Sequence, residues 1–132
     1  GNNRTHMIRV PDAGRFELRL MDGSSNPYLL QAGVIAAGLH GLNNKVDPGE
    51  PLSCNMYTDY KNYPNLKKLP DEIEDALDFL ENSKQLKEAF GEDVINSYIK
   101  LKNMEIEDFN KNDRFDKKSS VTDWEKNSTL DC

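Results

Sequence analysis

The rhythm of polar and apolar positions changes twice along this chain. Near the N-terminus the period is two. Arg15–Met21 (RFELRLM) alternates polar and apolar, as a half-buried strand does. Thr5–Val10 (THMIRV) is rich in β-branched residues and is expected to be a strand that stops at Pro11. Pro11-Asp12-Ala13-Gly14 between them is turn chemistry, since Pro presets φ and Gly permits positive φ. The two segments predict an antiparallel hairpin. Asp22–Asn26 (DGSSN) then breaks the pattern, with Ser25 or Asn26 available as a helix cap and Pro27 suited to a first turn. Tyr28–Leu39 is apolar nearly all round, which predicts a buried helix. Its Gly33, Ala36, Ala37 and Gly38 leave room for a second backbone, and Gly41 is the expected stop.

Beyond Gly41 the rhythm is lost. Lys45–Pro70 contains Pro48, Gly49, Pro51, Pro64 and Pro70 and predicts a long loop, a kind usually functional or held by other parts. A helical period then sets in. Ile73, Ala76, Leu77 and Leu80 form one stripe within Asp71–Asn82. A second helix is expected from Ser83, with Leu86 and Phe90 inward and a pause at Gly91. A third runs from Glu92 to about Phe109, with Ile95, Ile99, Ile106 and Phe109 flanked by Val94, Tyr98 and Leu101. Residues 110–120 are polar and expected to be mobile, and 121–130 predict a short helix anchored by Trp124. There is no internal repeat. The fold class is α+β: a hairpin segment (1–26), a mainly helical part (27–109) and a polar tail (110–132).

Composition sharpens this picture. At 132 residues the chain fits one domain. Its hydrophobic fraction is 36%, below the roughly 45–50% of self-sufficient domains, so part of its surface is expected to rest on something else. The net charge of −6 disfavours a nucleic-acid role. Locally the balance reverses, because Arg4, Arg9, Arg15 and Arg19 crowd the first twenty residues. Cys54 and Cys132 lack metal spacing and are expected to be free thiols. The apolar stretch 28–42 is too short and interrupted to span a bilayer, and no leader is visible. A cytoplasmic, non-membrane protein is expected. Gly1 in place of Met suggests a cloning remnant and a start cut within a larger domain.

The candidate chemistry lies in Arg15-Phe16-Glu17-Leu18-Arg19. Residues two apart on a strand share a face, so Arg15, Glu17 and Arg19 point one way while Phe16, Leu18 and Leu20 point to a core. A closed hairpin brings Arg9 to the charged face, and Arg4, just ahead of the first strand, is expected near the same end. Arginine forks bind phosphate and carboxylate oxygens, and a carboxylate is a hard ligand for Mg²⁺ or Mn²⁺. Phosphoryl transfer needs both. The plain alternative is a solvated strand face with cross-strand ion pairs.

The order of motifs resembles the C-terminal signature of the glutamine synthetases. It reads Asn3-Arg4-Thr5, Ile8-Arg9-Val10-Pro11, Arg15-Phe16-Glu17-Leu18-Arg19, Asp22, and Ser25-Asn26-Pro27-Tyr28-Leu29. It continues through Ala37-Gly38-Leu39, Gly41, Pro48-Gly49-Glu50-Pro51, Leu69-Pro70, Phe90-Gly91 and Tyr98-Ile99 to Leu101-Lys102, over roughly residues 2–109. The resemblance implies the C-terminal part of a catalytic domain in an ATP-dependent ligase that joins glutamate and ammonia through γ-glutamyl phosphate. It implies ATP with Mg²⁺ or Mn²⁺, and a homo-oligomeric parent of stacked rings. Arg4 and Arg9 match arginines on ATP phosphates and the phosphorylated intermediate, and Arg15 one near the nucleotide. Glu17 matches a metal-binding carboxylate, and Arg19 the arginine that holds glutamate. Tyr57 falls where one bacterial class is adenylylated, although Thr58-Asp59-Tyr60 departs from that pattern. The short Arg9–Arg15 turn lacks a lysine many members use for ATP, Thr5-His6-Met7 replaces small residues, and the ending lacks the usual aromatics. These departures lean toward the type III-like glutamate–ammonia ligase branch, whose relatives include ligases for other amines. The remaining ligands and the ammonium-binding acid are expected outside this chain, which alone is expected to be catalytically silent. The alternative is a non-catalytic module that binds anions or a partner.

The other candidates read as structural. His6 is expected to be packed or partly exposed, and His40 to partner a helix end. The methionines are filler, and the acidic run Asp71–Glu81 is a solvated face and not a metal site.

Overall fold

The structure is a computed structural model, and it describes residues 3–112 and 121–129. Two strands, β1 (Ile8–Asp12) and β2 (Arg15–Leu18), pair antiparallel with Ile8 opposite Leu18, Arg9 opposite Glu17 and Asp12 opposite Arg15. The hairpin is as expected, but β1 begins at Ile8 and runs through Pro11 to Asp12 instead of stopping before it. The register shifts between Arg9 and Asp12. Pro11, which has no N–H to donate, therefore sits where the ladder is already broken. Gly14 closes the turn at φ 76°, a left-handed value that suits glycine. Pairing continues one step past β2, since the Arg19 amide donates to the Met7 carbonyl at 2.9 Å.

The face expected to be core is open. Phe16 is 57% exposed and Val10 60%. The same holds for α1 (Pro27–Asn43). Asn26 caps it, its side chain accepting from the Tyr28 and Leu29 amides at 3.0 and 3.1 Å, and Pro27 opens the first turn. Yet no residue of α1 is buried, and Tyr28 is 83% exposed. The expectation of a buried helix fails because only α4 (Lys84–Phe90) packs substantially against it among the described residues. Nothing comes within 4 Å of a Cβ placed at Gly33 or Gly38, so the expected close backbone is not there either. Gly41 does not stop the helix. Asn44 does, donating its backbone N–H at 3.1 Å and its side-chain amide at 2.8 Å to the His40 carbonyl.

The loop from Lys45 to Pro70 contains one short helix, α2 (Met56–Asp59), and a 3₁₀ turn at Tyr60–Asn62. Three helices follow: α3 (Ile73–Glu81), α4 and α5 (Glu92–Asn112). Ser83 caps α4 through the Leu86 amide at 3.3 Å, and Gly91 separates α4 from α5 at φ 86°. Helices α3 and α4 both pack on α5. The buried hydrophobic core of the described residues is Leu77 on α3 and Ile95 on α5. An open apolar groove lined by Leu29, Leu30, Leu80, Leu86, Phe90 and Tyr98 lies between α1 and this layer.

Helix α5 extends through Asn112, so residues 110–112 are helical where mobility was expected; 113–120 lie outside the described residues. The final helix α6 (Asp123–Thr129) opens with a capping box. The Thr122 amide donates to Glu125 Oε2 at 2.6 Å, and the Glu125 amide donates to Thr122 Oγ1 at 3.1 Å. Trp124 anchors α6 as expected, its indole N–H donating to Asp108 at 2.6 Å and its ring meeting Phe109 edge-on at 5.5 Å. Leu130 and Cys132 lie outside the described residues. None of the described helices is long and apolar enough to cross a membrane.

Candidate functional site

The direct pairing of Arg9 with Glu17 puts their side chains on one face of the hairpin. Arg9 Nη1 donates to both carboxylate oxygens of Glu17 at 2.8 Å. The alternation of β2 adds the other two cations. Arg15 Nη2 lies 3.5 Å from Glu17 Oε1, and Arg19 Nη1 lies 3.9 Å from Oε2. Arg15 also pairs with Asp12 at 3.7 Å across the turn. Three of the four arginines picked out in the sequence thus converge on one carboxylate. The fourth, Arg4, is exposed and is not brought within ion-pairing distance of it among the described residues.

The site is graded in exposure. The Arg9 side chain is 12% exposed, Glu17 33% and Arg15 61%. Arg9 thus forms the floor and Arg15 the rim. The hydrogen bond from Arg9 holds the Glu17 carboxyl below its ordinary value of 4.5, and the charges of Arg9, Arg15 and Arg19 add to this against partial desolvation. Glu17 is therefore an anion throughout the neutral range. It carries a full charge and hard oxygens, which suits a divalent cation. Among the described residues there is no group of three or more His, Cys, Asp or Glu that could hold a metal; Glu17 is the carboxylate of this cluster that could serve as a ligand.

A second cluster, missed by sequence reading, joins the start of the chain to the loop. Asn3 Nδ2 donates to the Cys54 carbonyl at 2.7 Å, and the Met56 amide donates to Thr5 Oγ1 at 2.9 Å. The sequence signal was the pair of short polar residues flanking Arg4; their partners, 51 positions on, left no trace in local pattern.

The remaining candidates settle as follows. Tyr57 is 75% exposed at the start of α2. Cys54 is a free thiol, its Sγ 3.5 Å from Met56 Sδ, and hydrogen bonding with it raises the Tyr63 hydroxyl above its ordinary value. His6 is half-buried with Nε2 3.0 Å from Asn3 Nδ2, and His40 Nδ1 lies 3.2 Å from the capping Asn44. Most of Asp71–Glu81 is exposed, as a solvated face should be.

Comparison with known proteins bears on what this cluster belongs to. The sequence profile of the family described as "Glutamine synthetase, catalytic domain" matches residues 1–127. A glutamine synthetase of Rhizobium meliloti (strain 1021) is 47% identical over 131 residues, covering 99% of this chain and 28% of the relative. A glutamate–methylamine ligase of Methyloversatilis universalis is 41% identical over 135 residues, again covering 99% and 28%. A solved GmaS/ADP complex superposes with a TM-score of 0.77 at 41% identity, over 100% of this chain and 28% of that one. The chain therefore spans little more than a quarter of the length of these relatives. A hairpin whose paired arginines enclose one carboxylate, set in a sequence matched by that profile almost from end to end, places the chain in the glutamine synthetase catalytic-domain family.

Proposed function

We propose that this chain is the C-terminal part of the catalytic domain of an ATP-dependent ligase that makes glutamine from glutamate and ammonia. In this reading ATP phosphorylates the side-chain carboxylate of glutamate to γ-glutamyl phosphate, and ammonia displaces the phosphate. The observation that carries it is the convergence of Arg9, Arg15 and Arg19 on Glu17 at 2.8, 3.5 and 3.9 Å. Such a cluster offers cations for transferring phosphoryl oxygens and one anion for a metal. Arg9 and Arg4 take the phosphate oxygens, Arg15 lies toward the nucleotide, and Arg19 holds the glutamate carboxylate through its planar fork. A bound Mg²⁺ or Mn²⁺, with Glu17 as one ligand, supplies charge neutralisation to the phosphates. The related solved structure is a complex with ADP, which supports a nucleotide-using parent.

The parent in this reading is a homo-oligomer of stacked rings, and the chain alone is silent because it carries one wall of the site. A second reading has support from the methylamine ligase relative: the parent uses an amine other than ammonia. Both are tested by giving the full-length parent Mg²⁺-ATP, glutamate and either ammonium or methylamine and following ADP release, with Glu17→Ala as control. Release with ammonium that Glu17→Ala abolishes supports the first reading, and release only with methylamine the second. No release with either amine overturns both. ADP release by the isolated chain, abolished by Glu17→Ala, overturns the view that it holds only a partial site.

A further inference from the structure

Arg4 stands between two side chains that are both tied to a distant segment. Asn3 Nδ2 donates to the carbonyls of Cys54 at 2.7 Å and Ser53 at 3.3 Å. Its Oδ1 accepts from the Thr5 amide at 3.0 Å and the Thr5 hydroxyl at 2.7 Å. Thr5 Oγ1 then accepts from the Met56 amide at 2.9 Å. The circuit runs from Cys54 through Asn3 and Thr5 to Met56, and the His6 ring nitrogen rests against Asn3 Nδ2 at 3.0 Å.

Each residue type in the circuit is demanded by it. Asn3 donates through nitrogen and accepts through oxygen at once, which no carboxylate does. An aspartate there sets an oxygen against the Cys54 carbonyl. Thr5 both donates and accepts through one hydroxyl, and a valine leaves the Met56 amide without its acceptor. Asn3 and Thr5 are half-buried, while Arg4 between them is exposed. A long arginine loses much conformational freedom when it grips an anion. Fixing the backbone on both sides of it in advance lowers that cost.

We propose that Asn3 and Thr5 are positioning residues for Arg4, which hold its backbone against the Ser53–Met56 segment so that its guanidinium meets phosphate oxygens in a set approach. The proposal rests on the reading of Arg4 as a phosphate ligand.

The test uses the full-length parent with Mg²⁺-ATP, glutamate and its amine. Thr5→Val lowers kcat by roughly tenfold, in keeping with the loss of one well-made hydrogen bond network around a charged group. The KM for glutamate stays within about twofold, because Arg19 is untouched. Thr5→Ser, which keeps the hydroxyl, restores kcat. Combined with Arg4→Ala, Thr5→Val adds no further loss, since both act through one guanidinium. Asn3→Asp carries the same test should Thr5→Val fail to fold. Wild-type kcat in Thr5→Val, a loss that adds fully to that of Arg4→Ala, or no rescue by serine overturns the proposal. A wild-type parent that releases no ADP overturns the ligase reading instead, and this inference with it.

Discussion

Arg9 and Arg19 both face Glu17 yet stand differently toward it. Arg9 Nη1 spans both oxygens at 2.8 Å, whereas Arg19 approaches one at 3.9 Å. On the proposed reading of Arg19 as the glutamate ligand, the longer contact leaves its fork the more available of the two. Arg19→Ala in the parent is expected to raise the KM for glutamate by roughly tenfold or more, as loss of a charge-assisted bond does, with little change in that for ATP. Steady-state kinetics on both substrates checks this, and an equal rise in both places Arg19 elsewhere in the mechanism. At this scale the sequence was informative where period two applies. Arg15, Glu17 and Arg19 share a face because β2 alternates, and Arg9 joins them because the turn is short. Arg4 lies outside the ladder, so alternation says nothing of where it goes. The long-range contacts of Asn3 and Thr5, 51 positions along the chain, are made only on folding.

The helices owe their boundaries to single residues, and most of those were legible. Asn26, Ser83 and Gly91 act where their chemistry says they should. Gly41 does not, because a glycine ends a helix only if a later residue fails to cap it better, and Asn44 caps it. Gly91 has φ 86° and ψ 144°, a region essentially closed to other residues. Gly91→Ala is expected to destabilise the α4–α5 junction by about 1–3 kcal/mol, read as a lowered thermal midpoint. A second prediction concerns α6. The Thr122 backbone hydrogen bond, then its side-chain one, holds the Glu125 carboxyl below its ordinary value of 4.5, against slight desolvation. A depressed carboxylate stabilises the folded form above the unfolded value, and that contribution is lost as pH falls through the folded one. The capped N-terminus of α6 is therefore expected to weaken as pH falls below 4.5, the ordinary value of the carboxyl. Trp124 reports it, being the chain's single tryptophan. In Glu125→Gln the acid-side change should be smaller, and an unchanged acid profile argues against the capping carboxylate as its source.

Among the described residues large apolar side chains stand in solvent on both the hairpin and α1, with Phe16 at 57%, Ile35 at 61% and Tyr28 at 83% exposed. That exposure, in a chain spanning little more than a quarter of its relatives, explains why the apolar helix and hairpin face were misjudged. Apolar pattern reports that a surface needs covering, not that the cover is in the same stretch of sequence. In isolation the chain is expected to bind a hydrophobic dye and to unfold over a broad transition, since among the described residues two buried hydrophobic side chains make a small cooperative core. A sharp transition without dye binding counts against this. The tie from Asn3 to Cys54 has a consequence of another kind, for the order of events. Its hydrogen bonds close a separation of 51 residues, against an entropy that grows with loop length. Helices form from near neighbours in about a microsecond. The tie is therefore expected to close after α3, α4 and α5 and to open before them, without melting them. In amide exchange the Met56 proton should leave well ahead of that of Ile95, whose partner Gly91 is four residues away. Among the described residues, the same segment is then where a protease should find the backbone unguarded ahead of the helices.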